Sequence, residues 1–334
     1  MKKIEKALSF SFKVHTSERQ LALRDILEVF QVNYRSNRFY GILFTSASAL
    51  IYGLLPVLTN LSYAAGSNAE TFNFFKSAWA VPFLGIILFI QKKSIILPKK
   101  LMLWAVLAGV LGKGITSLLL YSSYNYVPGG MATTLHFMYP LFAAVLGRIL
   151  LGKRLPAYKW ATLLMATLSV SLLVELNGGF GSLIGIACAV GSGVVYAAYI
   201  LAVDQSGISD IDPLVFAFYL AVSGSAFSLV YGLSTETLRL DTPAVSQLYM
   251  AIAAIATSIV AAACFQQGIR RLGGATAAFF SLFEPVSSCI FGAMFLHERM
   301  NIKSASGVVL ILLAVVIMIC FDYRSLKRGK ISHE

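Results

Sequence analysis

Residues 139–155 read Tyr-Pro-Leu-Phe-Ala-Ala-Val-Leu-Gly-Arg-Ile-Leu-Leu-Gly-Lys-Arg-Leu, and residues 284–300 read Glu-Pro-Val-Ser-Ser-Cys-Ile-Phe-Gly-Ala-Met-Phe-Leu-His-Glu-Arg-Met. Laid on each other without a gap, they place Pro140 on Pro285, Gly147 on Gly292, Leu151 on Leu296 and Arg154 on Arg299, an offset of 145 residues. Gly129 and Gly274 keep the same offset, as do the apolar run after each block and the break before it. Self-similarity at one fixed separation is the mark of a duplicated structural unit.

The solvent for that unit follows from composition. The chain of 334 residues is 57% hydrophobic and 13% charged, where a water-soluble domain carries about a quarter charged residues. Its mean hydropathy is +0.76. Hydrocarbon accommodates such a chain, at roughly 20 apolar residues per helical crossing. Inside it only helices and closed barrels satisfy their backbone groups. The apolar runs here are long and continuous, not short and alternating, which excludes a barrel.

Ten spans are predicted, at about 39–60, 72–91, 101–121, 129–150, 158–175, 182–203, 213–232, 246–267, 274–296 and 304–321. Turn-forming residues separate them, among them Gly66-Ser67-Asn68, Pro128-Gly129-Gly130, Asn177-Gly178-Gly179 and Asp212-Pro213. One repeat thus holds five spans. Five is odd, so the second copy must sit upside down, the arrangement in which a site forms near the midplane between halves. The expected fold is an all-α membrane protein, ten transmembrane helices in two inverted five-helix repeats around a central cavity. Its parts are a basic cytoplasmic tail (1–38), a first repeat (39–175), a second repeat (182–321) and a cytoplasmic C-terminal tail (322–334).

Charge placement gives an orientation. With the N-terminus in the cytoplasm, 22 of the 27 Lys and Arg fall on inside segments and three (Arg239, Arg299, Lys303) outside; Lys76 and Lys113 lie within spans. The positive-inside rule then puts both termini in the cytoplasm of a multi-pass cell-membrane protein. The loop near 204–212 departs from the pattern, with Asp204, Asp210 and Asp212 and no base. The net charge of +12 is a topology signal and not a nucleic-acid footprint. The leader lacks an apolar core and is not a cleavable signal; Ser17 to Gln31 within it reads as a short amphipathic helix. Cys188, Cys264, Cys289 and Cys320 all fall in apolar runs and read as packing residues, with no disulfide or metal site expected.

The fourth span of each half carries a mid-helix proline and a closing turn: His297-Glu298-Arg299-Met300 in the second half, Gly152-Lys153-Arg154-Leu155 in the first. Together with Phe74-Phe75-Lys76 at the start of span two, these stretches resemble the EamA-like branch of the drug/metabolite transporters over roughly residues 39–321. Lys153 stands where the family's pattern has an acid. The resemblance implies a transporter. It does not name a substrate, since the family moves amino acids, purines, cations and amphiphilic drugs.

Polar groups inside spans are expensive unless they face protein or a water-filled cavity. Lys76 either faces the outer cavity or snorkels to headgroups. Lys113 lies deeper and shares a helical face with Ser117, Tyr121 and Tyr124; Glu284 is its natural partner. Glu284 can carry a proton or pair with Lys113. Pro140 and Pro285 each remove a helical hydrogen bond, from the carbonyls of His136 and Ser281, which is tolerated beside a cavity. His136 either titrates or packs, and Tyr139 and Tyr196 are candidate cavity walls. Gly181, Gly185, Ala189, Gly193 and Ala197 form a small-residue packing ridge. Glu298 and Arg299 read as a helix-end device.

Lys76, Lys113, Ser117, Tyr121, His136, Tyr139, Tyr196 and Glu284 are therefore the candidate substrate-binding residues, with Pro140 and Pro285 as helix breaks. No nucleophile elbow, phosphate loop or zinc-helix motif is present, so no enzyme, cofactor or metal is expected. The expected function is secondary, ATP-independent transport of a small metabolite or amphiphile across the cytoplasmic membrane by alternating access, with export of amino-acid-like or anionic solutes as its narrower form. The alternative is a membrane scaffold or sensor with the same fold and no transport. The expected partners are a small-molecule substrate and the lipid bilayer, with no nucleic acid and a homodimer open.

Overall fold

The computed structural model describes residues 39–152, 156–173, 179–206, 211–272, 280–298 and 302–327. Every regular element among them is a helix. The first repeat contributes α1 (Phe39–Ala64), α2 (Ala69–Ile90), α3 (Lys99–Ser123), α4 (Gly129–Leu151) and α5 (Ala157–Leu173). The second contributes α6 (Gly179–Ser206), α7 (Pro213–Ser234), α8 (Ala244–Ile255 continuing to Leu272), α9 (Phe283–Phe295) and α10 (Ile302–Lys327).

Seven helices, α1 to α4 and α6 to α8, are each long and apolar enough to cross a membrane. The expected count of ten is not reached on those grounds. α5 has 17 residues, and α9 has 13 after the turn at Leu282, with residues 273–279 outside the described set. The amphipathic helix expected in the leader also lies outside the described residues. Large apolar side chains such as Ile86, Leu164, Leu168, Val230 and Leu248 are exposed, an arrangement that hydrocarbon tolerates and water does not.

The two halves interleave. α1 packs on α8 and α9, and α6 packs on α3 and α4. α2 lies against α7, α4 against α9 and α5 against α10. Exchanging the halves (α1 for α6, α2 for α7, and so on) maps this contact pattern onto itself. The equivalent helices run in opposite directions. At one end of the α2–α7 pair, Asn68 Nδ2 donates to the carbonyl of Thr237 and Arg239 Nη1 to that of Gly66. At the other end, Lys93 pairs with Asp212 at 2.6 Å. The start of α2 thus meets the end of α7, and the reverse, so the halves are inverted.

Small residues set the closest approaches. A Cβ at Gly130 would stand 2.6 Å from the Cα and 2.7 Å from the backbone nitrogen of Cys289, so only glycine lets α4 meet α9 there. Gly185, Ala189, Gly193 and Ala197 of the expected ridge are all buried on α6; Gly193 abuts the carbonyl of His136, which a Cβ would approach to 2.9 Å. The four cysteines are free thiols.

Helix ends carry local chemistry. Asn68 caps α2 by accepting from the Thr71 amide, and Asp212 caps α7 by accepting from Leu214 with Pro213 at the first turn. Asp212 also answers the acid-only loop, since Lys93 compensates it. Partial burial pushes the Asp212 carboxyl up, but the Lys93 ammonium and the Leu214 amide outweigh it and hold the carboxyl below its ordinary range.

Two predictions follow from this packing. Gly130→Ala forces backbone apart and costs about 1–3 kcal/mol, whereas Gly191→Ala, whose Cβ would meet nothing nearer than 3.7 Å, leaves the melting temperature in detergent unchanged. Asp212→Ala loses about 1 kcal/mol of cap energy and Asp212→Ser restores most of it. Because the folded carboxyl titrates lower than the unfolded one, its contribution is present above the unfolded pKa of about 3.9 and disappears as pH falls through the folded value. Melting curves of the three proteins between pH 3 and 7 check this.

Candidate functional site

Three helices around the midline of the fold are interrupted. α1 is interrupted by a turn at Leu54, whose backbone angles stay helical, and continues from Leu55 with Pro56 in the first turn. α4 breaks at Phe137 and Met138 and restarts at Tyr139 with Pro140 in the first turn. α9 restarts at Phe283, after a turn at Leu282, with Pro285 in its first turn. Both prolines therefore sit where an orphan amide would stand anyway. They do not remove a bond from the middle of a continuous helix, which is how the sequence alone presents them. The break in α1 went unforeseen, although Pro56 marks it.

Two further irregularities have no such marker. α3 widens into a π-helix over Val110–Ile115 and α8 over Ala256–Ala261, and within one residue these are equivalent under the 145-residue offset. π-turns misalign carbonyls and occur frequently at functional sites. Here neighbouring side chains take them up. Asn73 Nδ2 donates to the Gly114 carbonyl at 3.0 Å and to Ser228 Oγ at 2.8 Å. From α1, Ser48 Oγ donates to the Ala261 carbonyl at 2.8 Å and the Tyr52 hydroxyl to that of Thr257 at 3.1 Å. Asn73, Ser48 and Thr257 are buried polar residues that sequence reasoning passed over. Their only signal was polarity inside an apolar run.

All of these irregular segments surround one cavity of about 320 Å³. Its wall is drawn from α1, α2, α3, α4, α6, α7, α8 and the start of α9; α5 and α10 take no part. Each of Lys76, Lys113, Ser117, Tyr121, His136, Tyr139, Tyr196 and Glu284 lies on that wall. The first half supplies the cations. Under the offset, Lys76 corresponds to Ala221, Lys113 to Ser258, His136 to Ser281 and Tyr139 to Glu284, and all eight line the cavity.

Lys76 does not snorkel. It is 4% exposed, its Nζ donates to the Tyr121 hydroxyl at 2.8 Å, and it stands 5.4 Å from that ring's centre. Tyr121 is held in turn, since the Tyr63 hydroxyl donates to its carbonyl at 2.9 Å and Phe72 meets its ring edge-on at 5.1 Å. Lys113 lies in the π segment, and Ser117 one turn on reaches the Gly112 carbonyl at 3.4 Å. The expected Lys113–Glu284 pair does not form: the two share the cavity but make no ion pair with each other. Neither the Lys113 amine nor the Glu284 carboxylate has a hydrogen-bond partner among the described residues.

His136 is settled by its neighbours. Ser192 Oγ donates its one proton to the Ala189 carbonyl at 2.6 Å and lies 2.9 Å from His136 Nδ1. With the Ser192 proton on that carbonyl, Nδ1 carries the imidazole hydrogen and Nε2 is an acceptor. The imidazole packs against Tyr196 (5.2 Å) and Tyr139 (5.9 Å), and those two rings meet edge-on at 4.8 Å. Tyr199 extends the aromatic wall beside Tyr196.

Glu298 stands away from this wall. Its Oε1 accepts from the Gly129 amide at 2.9 Å, so a carboxylate of the second repeat caps the N-terminus of α4 in the first. Burial raises its carboxyl above the ordinary range against the pull of the Gly129 and Gly130 amides. Lys153 and Arg154, its counterparts at the end of α4, and Arg299 lie outside the described residues, as does Gly181 of the ridge as far as its surroundings go.

No cluster of three metal-ligating side chains occurs among the described residues. The comparisons with known proteins agree with this architecture. One solved crystal structure superposes with a TM-score of 0.56 at 16% identity, over 85% of this chain and 98% of its own, which is a likeness of fold. Uncharacterized transporter YcbK of Bacillus subtilis is 26% identical over 312 residues, 87% of this chain and 95% of its own. Uncharacterized transporter YvbV of the same organism is 24% identical over 199 residues, 58% and 64% of the two chains. The model of the EamA-like transporter family matches residues 39–175 and again residues 183–320. With two matched repeats that together span most of its length, the chain belongs to the EamA-like transporter family.

Proposed function

We propose that this protein is a secondary transporter that carries a small solute with an anionic group, amino-acid-like in size, across the cell membrane by alternating access. The observation that carries the reading is the cavity between inverted halves, with two ammonium groups and a carboxylate on its wall and no ion pair among them. A charge at bilayer depth costs about 2.5–3.5 kcal/mol even on insertion scales. A scaffold has no use for three such groups aimed into a common space; a site for a charged solute does. The volume of about 320 Å³ corresponds to roughly ten water molecules at ~30 Å³ each, which suits a metabolite of amino-acid size.

The same reading takes all ten helices as crossings, with both termini in the cytoplasm. Contacts between loops support this parity. Segments that touch, such as 66–68 with 237–239, Gly129 with Glu298, and Lys93 with Asp212, are each separated by an even number of helices and so share a side of the membrane. No ATP-binding motif is present, so the driving force is a gradient or an exchange.

Purified protein in liposomes is expected to move amino-acid-like or anionic solutes. Lys113→Ala lowers the initial rate at least tenfold while the melting temperature stays within a few degrees of wild type; an undiminished rate in a folded variant would remove the idea. Glu284→Gln is expected to flatten the pH dependence of exchange, and a profile unchanged from wild type would take the proton role from this residue.

A further inference from the structure

Resting on the transporter reading, we infer that the solute carries two anionic charges and one ammonium, as an acidic amino acid does. The inference comes from charge balance on the wall. Lys76 and Lys113 stand on neighbouring helices of the first half, and Glu284 stands on α9 of the second. No salt bridge joins any two of the three. The other titratable groups on the wall are His136, whose Nδ1 is engaged by Ser192, and the phenols Tyr52, Tyr121, Tyr139, Tyr196 and Tyr199. None of these is a counter-charge.

An uncompensated buried charge is strongly unfavourable, and a ligand that supplies its partner recovers that energy. A monocarboxylate compensates one lysine and leaves the other repelled by it. A dicarboxylate without an amine satisfies both lysines and confronts Glu284 with a like charge. A simple amine satisfies Glu284 and meets two cations. With Glu284 in its ionised state, a solute with two negative charges and one positive leaves nothing unpaired.

The surroundings of each group fit these parts. Lys76 is fixed by the Tyr121 hydroxyl and the ring beneath it, so it presents a preset ammonium to one anionic oxygen. Lys113, without a hydrogen-bond partner among the described residues, meets the second. Glu284 shares the cavity wall with Tyr52, Tyr139 and Tyr196, and aromatic rings on the same wall suit an ammonium through cation–π attraction. Two carboxylates or one phosphate monoester would both supply the negative charges, and the amine is common to the two.

The test is counterflow in liposomes containing the full wild-type chain, with glutamate, O-phosphoethanolamine, glutamine, glutarate and alanine as competitors. Glutamine differs from glutamate only in losing one negative charge, and glutarate only in losing the amine. Glutamate or O-phosphoethanolamine is expected to half-saturate at a concentration at least tenfold below both glutamine and glutarate, and the better of the two identifies the anionic group. In Lys113→Gln the preference for glutamate over glutamine falls to about one. If glutamine or alanine serves as well as glutamate in the wild type, the charge inference is overturned while the transporter reading stands. If none of these solutes, and no other anion, is moved or shifts the melting temperature, both are overturned. The wild-type comparison decides even where the variant fails to fold.

Discussion

Hydrocarbon offers no hydrogen bond to a peptide group, and the breaks and π segments of the described helices are placed by that fact. α5 and α10, which take no part in the cavity, run as uninterrupted helices over their described lengths. α1, α4 and α9 break, and α3 and α8 widen, where their displaced backbone groups face the interior or find a side chain from the next helix. The five irregularities come from both repeats and converge on one space. The location of the cavity is thus a consequence of where backbone can be left unpaired without meeting lipid.

Once that space exists, its chemistry need not be symmetric, and it is not. The scaffold obeys a two-fold exchange of halves to the level of helix contacts, yet equivalent wall positions carry Lys113 and Ser258, or Tyr139 and Glu284. The cations come from one half and the carboxylate from the other. The two halves therefore present different charge to the space they share.

Much of this was legible in the sequence because the informative residues are the costly ones. Pro140 and Pro285 exposed the repeat, and the parity of five spans gave the inversion. Lys76, Lys113 and Glu284 were conspicuous because ionisable residues are rare in apolar runs. What could not be read was anything set by distance between helices. Lys113 and Glu284 were natural partners on charge alone, but helix packing holds them apart. The π segments were invisible because residues such as Ala256, Thr257 and Ile259 serve an α-helix equally well. The carbonyls that the widening displaces are taken up by Asn73, Ser48 and Tyr52 on other helices, 41 to 213 residues away. Even the prolines were half read: they marked the breaks but sit just after them.

The paired π segments also bear on history. A π-turn is one extra residue accommodated in a helix without disturbing its ends. Finding it at matching positions in α3 and α8 is simplest if the insertion was already present in a single five-helix ancestor. Lys113 and Glu284 have no like residue in the opposite half, so they are not part of what the halves share. The distorted backbone is thus common to the two halves, whereas each charge belongs to one half alone.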